Sequence, residues 1–83
     1  MPRFYFHTQD GHVTHDEDGT MLPNLAAARR EAVRVSCEML RMREDDFWLT
    51  RSWQMTVTDE MGLVLFTIDV SAHLSPAVAG TLI

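Results

Sequence analysis

The alternation of side chains across residues 53–70 constrains this chain more than any other feature. WQMTVT and LVLFTIDV flank Asp59-Glu60-Met61-Gly62. A four-residue loop ending at Gly62, which enters the left-handed region without strain, pairs Val57 with Val64, Met55 with Phe66 and Trp53 with Ile68. That register places Trp53, Met55, Val57, Val64, Phe66, Ile68 and Val70 on one face. Gln54, Thr56, Thr58, Leu63, Leu65, Thr67 and Asp69 take the other. A slip of one residue would scatter the apolar set, so the pairing is strongly specified and one face must be covered.

The rest of the chain supplies the cover. Residues 3–8 (RFYFHT) suit a strand, and Asp10-Gly11 is the pair preferred in a two-residue hairpin turn. With that turn Gln9 faces His12, Thr8 faces Val13, His7 faces Thr14 and Phe6 faces His15. Phe4, Phe6, Thr8, Val13 and His15 then form the core side. Tyr5, His7, Gln9, His12 and Thr14 lie outside. Residues 16–23 (DEDGTMLP) read as a loop with turns, and Asn24 after Pro23 is a helix N-cap. The helix runs from about Leu25 to Arg43, with Leu25, Ala28, Ala32, Val33, Val35, Ser36, Met39, Leu40 and Met42 on one arc. Arg29 projects within that arc. Residues 44–52 form an acidic turn followed by Phe47-Trp48-Leu49, whose pattern decides no conformation. The expected fold is α+β: a ββαββ order, a four-stranded, mainly antiparallel sheet and one helix across one face. Residues 1–70 form the single domain. Residues 71–83 are an uncharged apolar tail that either packs on the sheet or is loose.

Composition narrows the function classes. The chain has 83 residues, 46% apolar and 23% charged, which fits one folded domain and argues against disorder. Its net charge of −5 gives no general attraction to polyanions. Residues 25–43 carry five arginines against two glutamates, while the remainder carries two arginines against ten acids. The helical arginines are spaced for local ion pairs with Glu31, Glu38 and Asp45, and no nucleic-acid partner is expected. No run approaches the roughly 18 apolar residues of a membrane span. MPRFYFHTQDG lacks the apolar stretch of a secretory signal, and the lone Cys37 suits a reducing cytoplasm. The expected setting is therefore cytoplasmic.

Few residue groups carry chemistry. His7 and His12 fall diagonally on one face of the first hairpin and are the candidate metal ligands. His15 points to the other face, which leaves that site short of the three or four ligands a metal needs. Asp16-Glu17-Asp18-Gly19 lacks the alternating ligands and distant glutamate of a calcium loop. An arginine inside an apolar arc must send its guanidinium to an acid, a carbonyl or water. The expected tie is structural and joins Arg29 to Asp16 or Asp18; an enzyme built on Arg29 and these acids is a weaker alternative. Cys37 has no base fixed near it by spacing. There is no glycine-rich phosphate loop, His-Glu-x-x-His, Gly-x-Ser-x-Gly or paired Cys-x-x-Cys. No cofactor is expected.

Surface geometry points elsewhere. One helix covers one face of a four-stranded sheet. Tyr5, Leu63 and Leu65 lie on the other face, and Trp48 is unplaced. Exposed apolar area on so small a chain marks a partner surface, and the commonest partner is a second copy. The expected interaction surface is Tyr5, Leu63, Leu65 and Trp48.

The strings MPRFYFH, DG, DxDGTxLPN, AARREA and VTDEMGLVLFTI, in that order, resemble a family of short alphaproteobacterial proteins carrying a domain of unknown function. The resemblance spans about residues 1–70. It places Asp16, Gly19, Leu22, Pro23, Arg29, Glu31 and Ala32 at the loop–helix junction, and Thr58, Asp59, Glu60 and Gly62 in the second hairpin. It implies a fold unit and a bacterial cytosolic setting, and it brings no catalytic residues. The expected function is a non-enzymatic module that self-associates, as a dimer, or docks a small protein partner, with the apolar outer sheet face and an exposed edge strand supplying the contact. The alternative is a small-ligand or metal-binding module using His7, His12 and the Asp16–Asp18 loop.

Overall fold

The computed structural model describes residues 2–78. Its sheet is built on two long antiparallel strands near the C-terminal end of the chain, β4 (Ser52–Thr58) and β5 (Val64–Ser71). Trp53 pairs with Val70, Met55 with Ile68 and Val57 with Phe66, after which Thr58 pairs with Val64. The shift between Val57 and Thr58 leaves Leu65 as an extra, bulged residue. The expected pairing is thus off by two for most of the hairpin, a slip that preserves the face. Trp53, Met55 and Val57 are buried, and Phe66, Ile68 and Val70 pack against them. Val64 and Leu65 trade roles: Val64 is 56% exposed, while Leu65 packs against the core.

The cause lies in the turn. Asp59 Oδ1 accepts from the backbone N–H groups of Met61 (2.8 Å) and Leu63 (3.0 Å). The Asp59 N–H donates to the Leu63 carbonyl (3.0 Å), and Gly62 sits at φ 82°. The aspartate thereby closes the loop against Leu63, and the bulge restores the apolar alternation beyond it.

β1 (Arg3–Gln9) lies beside β4, with Tyr5 opposite Thr58, His7 opposite Thr56 and Gln9 opposite Gln54. Its other edge carries two short strands, β2 (Val13–Thr14) and β3 (Thr20–Met21). The sheet therefore has five strands rather than four, because residues read as pure loop contribute β3. The first turn is also one residue longer than expected. Thr8 pairs with Thr14 and Gln9 with Val13, leaving Asp10, Gly11 and His12 in the loop. Asp10 Oδ1 accepts from the His12 N–H (3.3 Å), its other carboxylate oxygen meets Arg43 (3.2 Å), and Gly11 takes φ 102°. This odd shift reverses the faces assigned to β2. Thr14 moves to the inner side, and Val13 and His15 move to the outer side.

α1 spans Leu25–Arg41, with Asn24 Oδ1 accepting from the Ala27 N–H (2.9 Å) as the cap requires. Ala28, Ala32 and Ser36 recur every fourth residue and are buried, so the helix backbone approaches the sheet closely along a narrow stripe. Phe4, Trp53, Met55 and Val57 face that stripe. Because the contact is narrow, Leu25 and Val33 at the margins of the expected arc are exposed. A four-residue α2 (Phe47–Thr50) follows the acidic turn and ends at Arg51 with φ 59°. Phe47 packs on the core. β5 runs one residue past the expected domain boundary, and the Ala72 N–H donates to the Arg51 carbonyl (2.9 Å). Of the apolar tail, Ala72 and Leu74 are half-buried and a turn occupies residues 76–78; residues 79–83 lie outside the described residues. No helix among the described residues is long and apolar enough to cross a membrane.

Candidate functional site

The two edges of the sheet are finished in opposite ways. Along β1, Thr8 and Gln9 pair with β2 and Arg3 and Phe4 pair with β3, and the intervening Phe6 N–H has no strand to meet. Asp16 fills the gap. Its Oδ2 accepts from the Phe6 N–H (3.1 Å), and its Oδ1 accepts from the N–H groups of Asp18 (3.2 Å) and Gly19 (3.0 Å). Burial works to raise the Asp16 pKa, but these three donors outweigh it and hold the carboxyl below its ordinary value of 3.8. Gly19 (φ 71°) admits the backbone under Arg3 and Tyr5, since a Cβ there would lie 2.8 Å from Arg3 Cγ and 2.9 Å from Tyr5 Cε2. Arg3 in turn donates to the Asp18 carbonyl (2.7 Å).

His7 belongs to the same assembly. The Asp16 backbone N–H donates to His7 Nδ1 (3.1 Å), so that nitrogen is the unprotonated one. Nε2 then carries the hydrogen and donates to Thr58 Oγ1 at 3.0 Å. Tyr5 stacks beside the ring, and His15 meets it edge-on with centroids 5.4 Å apart. Both imidazole nitrogens are thus committed to the protein. His12 sits exposed in the hairpin loop. The His7/His12 metal pairing is therefore not formed, because the longer turn brings His15, not His12, across from His7. No group of three or more histidine, cysteine, aspartate or glutamate side chains among the described residues is arranged to hold a metal.

The expected Arg29 tie is also not made. Asp16 spends its carboxylate on backbone N–H groups, and Arg29 is exposed beside Ala26, Arg30 and Val33. The ion pairs among the described residues are Arg34 with Glu31 (2.7 Å) and Glu38 (2.9 Å), and Arg43 with Asp10 (3.2 Å). Cys37 is exposed. A concavity of about 440 Å³ lies between the Asp16 loop and α1, floored by Phe6, Val35, Met39 and Met55. Its rim carries His15, Glu17, Asp18 and the already committed Asp16, and Thr8 and Thr14 also line it.

The expected interaction residues do not form one patch. Tyr5 and Leu63 lie toward the Thr58 end of β4, whereas Trp48 on α2 precedes its Ser52 end, a strand length of about 20 Å away. Leu65 turns to the core through the bulge. The outer face presents Gln54, Thr56, Thr67 and Asp69 and is mainly polar, not apolar.

Among the described residues the edge that remains open is β5; the sequence points to an exposed edge strand at the contact without singling out this one. It is eight residues long, VLFTIDVS, with Asp69 its one charge. The sheet order is β2-β1-β4-β5, so β5 is bonded on one side among the described residues. The Ala72 N–H points to β4, and antiparallel ladders alternate. The N–H and C=O groups of Thr67, Asp69 and Ser71 therefore point away from the sheet. On the inner face Phe66, Ile68 and Val70 are only half-buried, in contrast to the fully covered Trp53, Met55 and Val57 of β4.

No curated protein and no solved structure matches the chain. A match to a domain of unknown function, DUF6894, runs from residue 3 to residue 71 and so takes in every strand and both helices of the described residues, and the Asp16 assembly. The chain belongs to the DUF6894 family.

Proposed function

We propose that this protein is a non-enzymatic interaction module that self-associates through the free edge of β5. The observation that carries this reading is an eight-residue outer strand with one charged side chain and one flank that is unpartnered among the described residues. Long, apolar, uncovered edges are templates for pairing with another chain, and proteins that avoid such pairing shorten, charge or cover them. The opposite edge supports the contrast, because there the strands are two residues long and Asp16 caps the leftover N–H. β-Strand addition draws affinity from main-chain hydrogen bonds, which any sequence of this kind supplies. The setting in this reading is a reducing bacterial cytoplasm, as the lone Cys37 and the family resemblance imply.

The test is solution mass by light scattering across a concentration series, on wild type and on Thr67→Pro. The Thr67 N–H points to the open edge, so proline there removes an outward donor without removing a β4–β5 bond. The expected result is a dimer at high micromolar wild-type concentration and a monomer for Thr67→Pro with an unchanged circular dichroism spectrum. A wild type that stays monomeric up to millimolar concentration refutes the reading.

A further inference from the structure

We propose that the partner on β5 is a second copy of this chain, paired antiparallel about a two-fold axis through Ile68, with Thr67 of each copy opposite Asp69 of the other. The inference rests on the self-association reading and adds its register. Two-fold symmetry between identical strands allows few choices, because residues whose N–H and C=O groups point outward must pair with one another. On β5 these are Thr67, Asp69 and Ser71, so the axis passes through Thr67, Ile68, Asp69, Val70 or Ser71; at Val70 or Ser71 at most three residues of β5 would lie opposite the partner's β5, which leaves the first three.

Two of the three choices are disfavoured by the residues themselves. An axis at Asp69 sets the two Asp69 carboxylates directly opposite each other, and like charges in that position are destabilising. An axis at Thr67 brings Leu65 opposite Asp69 and draws the bulge into the new ladder, where its extra residue breaks the pairing. An axis at Ile68 keeps the central pairs within the regular segment from Phe66 to Val70. It also matches the side chains. Asp69 Oδ1 already accepts from Gln54 Nε2 (2.6 Å), which holds the carboxylate in place and leaves Oδ2 free. The Thr67 hydroxyl has no partner among the described residues and would face that oxygen from the other copy. On the inner side Ile68 meets Ile68, and Phe66 meets Val70. The half-buried apolar row of one copy thereby continues into that of the next.

Cysteine scanning reads the register directly. In a Cys37→Ser background, Thr67→Cys, Ile68→Cys and Asp69→Cys are each oxidised with copper phenanthroline, and dimer is scored on non-reducing gels. A residue on the axis lies opposite itself, and in a non-hydrogen-bonded pair the Cα separation of about 4.5 Å falls within disulfide reach. Ile68→Cys is expected to cross-link at least tenfold faster than either neighbour, with Thr67→Cys plus Asp69→Cys mixed together also cross-linking. Preferential self-linking at 67 or 69 overturns the register while the mass measurement upholds self-association. Slow, equal linking at all three positions, with a dimer in light scattering, places the interface elsewhere and overturns the register as well. A monomer by mass removes both readings. Because Ile68 touches the core, far-ultraviolet circular dichroism is recorded on each variant; if Ile68→Cys does not fold, the mixed 67/69 pair carries the test alone, and its failure overturns the proposal.

Discussion

Replacing Asp16 by alanine tests the stabilising logic of the whole N-terminal half. The carboxylate accepts from the Phe6, Asp18 and Gly19 N–H groups. The Asp18 bond is exposed, so water replaces the lost acceptor there. The Phe6 and Gly19 donors are partly buried and lose theirs. Hydrogen bonds to charged groups contribute about 1.5–3 kcal/mol each, and partial exposure selects the lower end, so the expected loss is about 3 kcal/mol. For a domain of this size that corresponds to about 10–20 °C in Tm. Asp16→Asn keeps Oδ1 for Asp18 and Gly19 but turns an amide N–H₂ toward the Phe6 N–H, and should lose about half as much. The two variants also differ from wild type in pH response. A carboxyl held below 3.8 in the folded state contributes stability that is complete above its unfolded value and is lost as pH falls through the folded one. The gap between wild type and Asp16→Asn should therefore be constant near neutrality and shrink below about pH 4. Thermal melts at pH 7 and pH 3 decide it. A Tm loss under about 3 °C for Asp16→Ala would mean these bonds contribute little in solution, and the argument would fail.

Gly19→Ala combines a left-handed φ with a Cβ lying 2.9 Å from the Tyr5 ring, so a loss of about 2 kcal/mol is expected in urea denaturation, and a neutral result would show the loop relaxes freely. Met55→Ala empties the centre of the core, where the side chain is fully buried, and should cost about 2–5 kcal/mol with an unchanged oligomer mass for any fraction that remains folded. If β5 pairs two copies, wild-type Tm should rise with protein concentration, as association stabilises the folded state by mass action. Thr67→Pro should abolish that dependence, and a wild-type Tm independent of concentration would contradict it.

What the sequence revealed follows the range of each interaction. The inner face of β4 and β5 was readable because alternation is insensitive to a slip of two, and Trp53, Met55, Val57, Phe66, Ile68 and Val70 kept their side. The absolute register was not readable, because it depends on Asp59 Oδ1 reaching the Met61 and Leu63 N–H groups, a side-chain event that alternation does not encode. The same kind of event at Asp10 lengthened the first turn by one residue, and there the error was odd, so it exchanged the faces of Val13, Thr14 and His15. Asp16-x-x-Gly19 carried the signature of an aspartate bonding its own following backbone, but the Phe6 N–H that completes its role lies ten residues away. Arg29 illustrates the converse. Helical periodicity placed it within an arc, yet Ala28, Ala32 and Ser36 draw the helix so close to the sheet that only their narrow stripe is covered.

These local polar events also determine which edge of the sheet is available. A strand edge is closed when its outward N–H groups find acceptors, and on β1 the acceptors are two short strands and one carboxylate. Nothing comparable reaches Thr67, Asp69 or Ser71 among the described residues. Asp69, the single charge on β5, lies on the polar outer face and is held by Gln54, so it does not blunt the edge as a freely moving lysine would. The Gln54–Asp69 bond joins directly opposed residues of β4 and β5 and so stabilises that hairpin within one copy. In an antiparallel pair of copies, however, a fixed Asp69 opposite an unpartnered Thr67 favours one alignment, while Asp69 opposite itself opposes another. The same side chain would then both permit association and limit it to a closed dimer, because a two-fold pairing of β5 consumes the open edge of each copy and leaves only the capped edges outside.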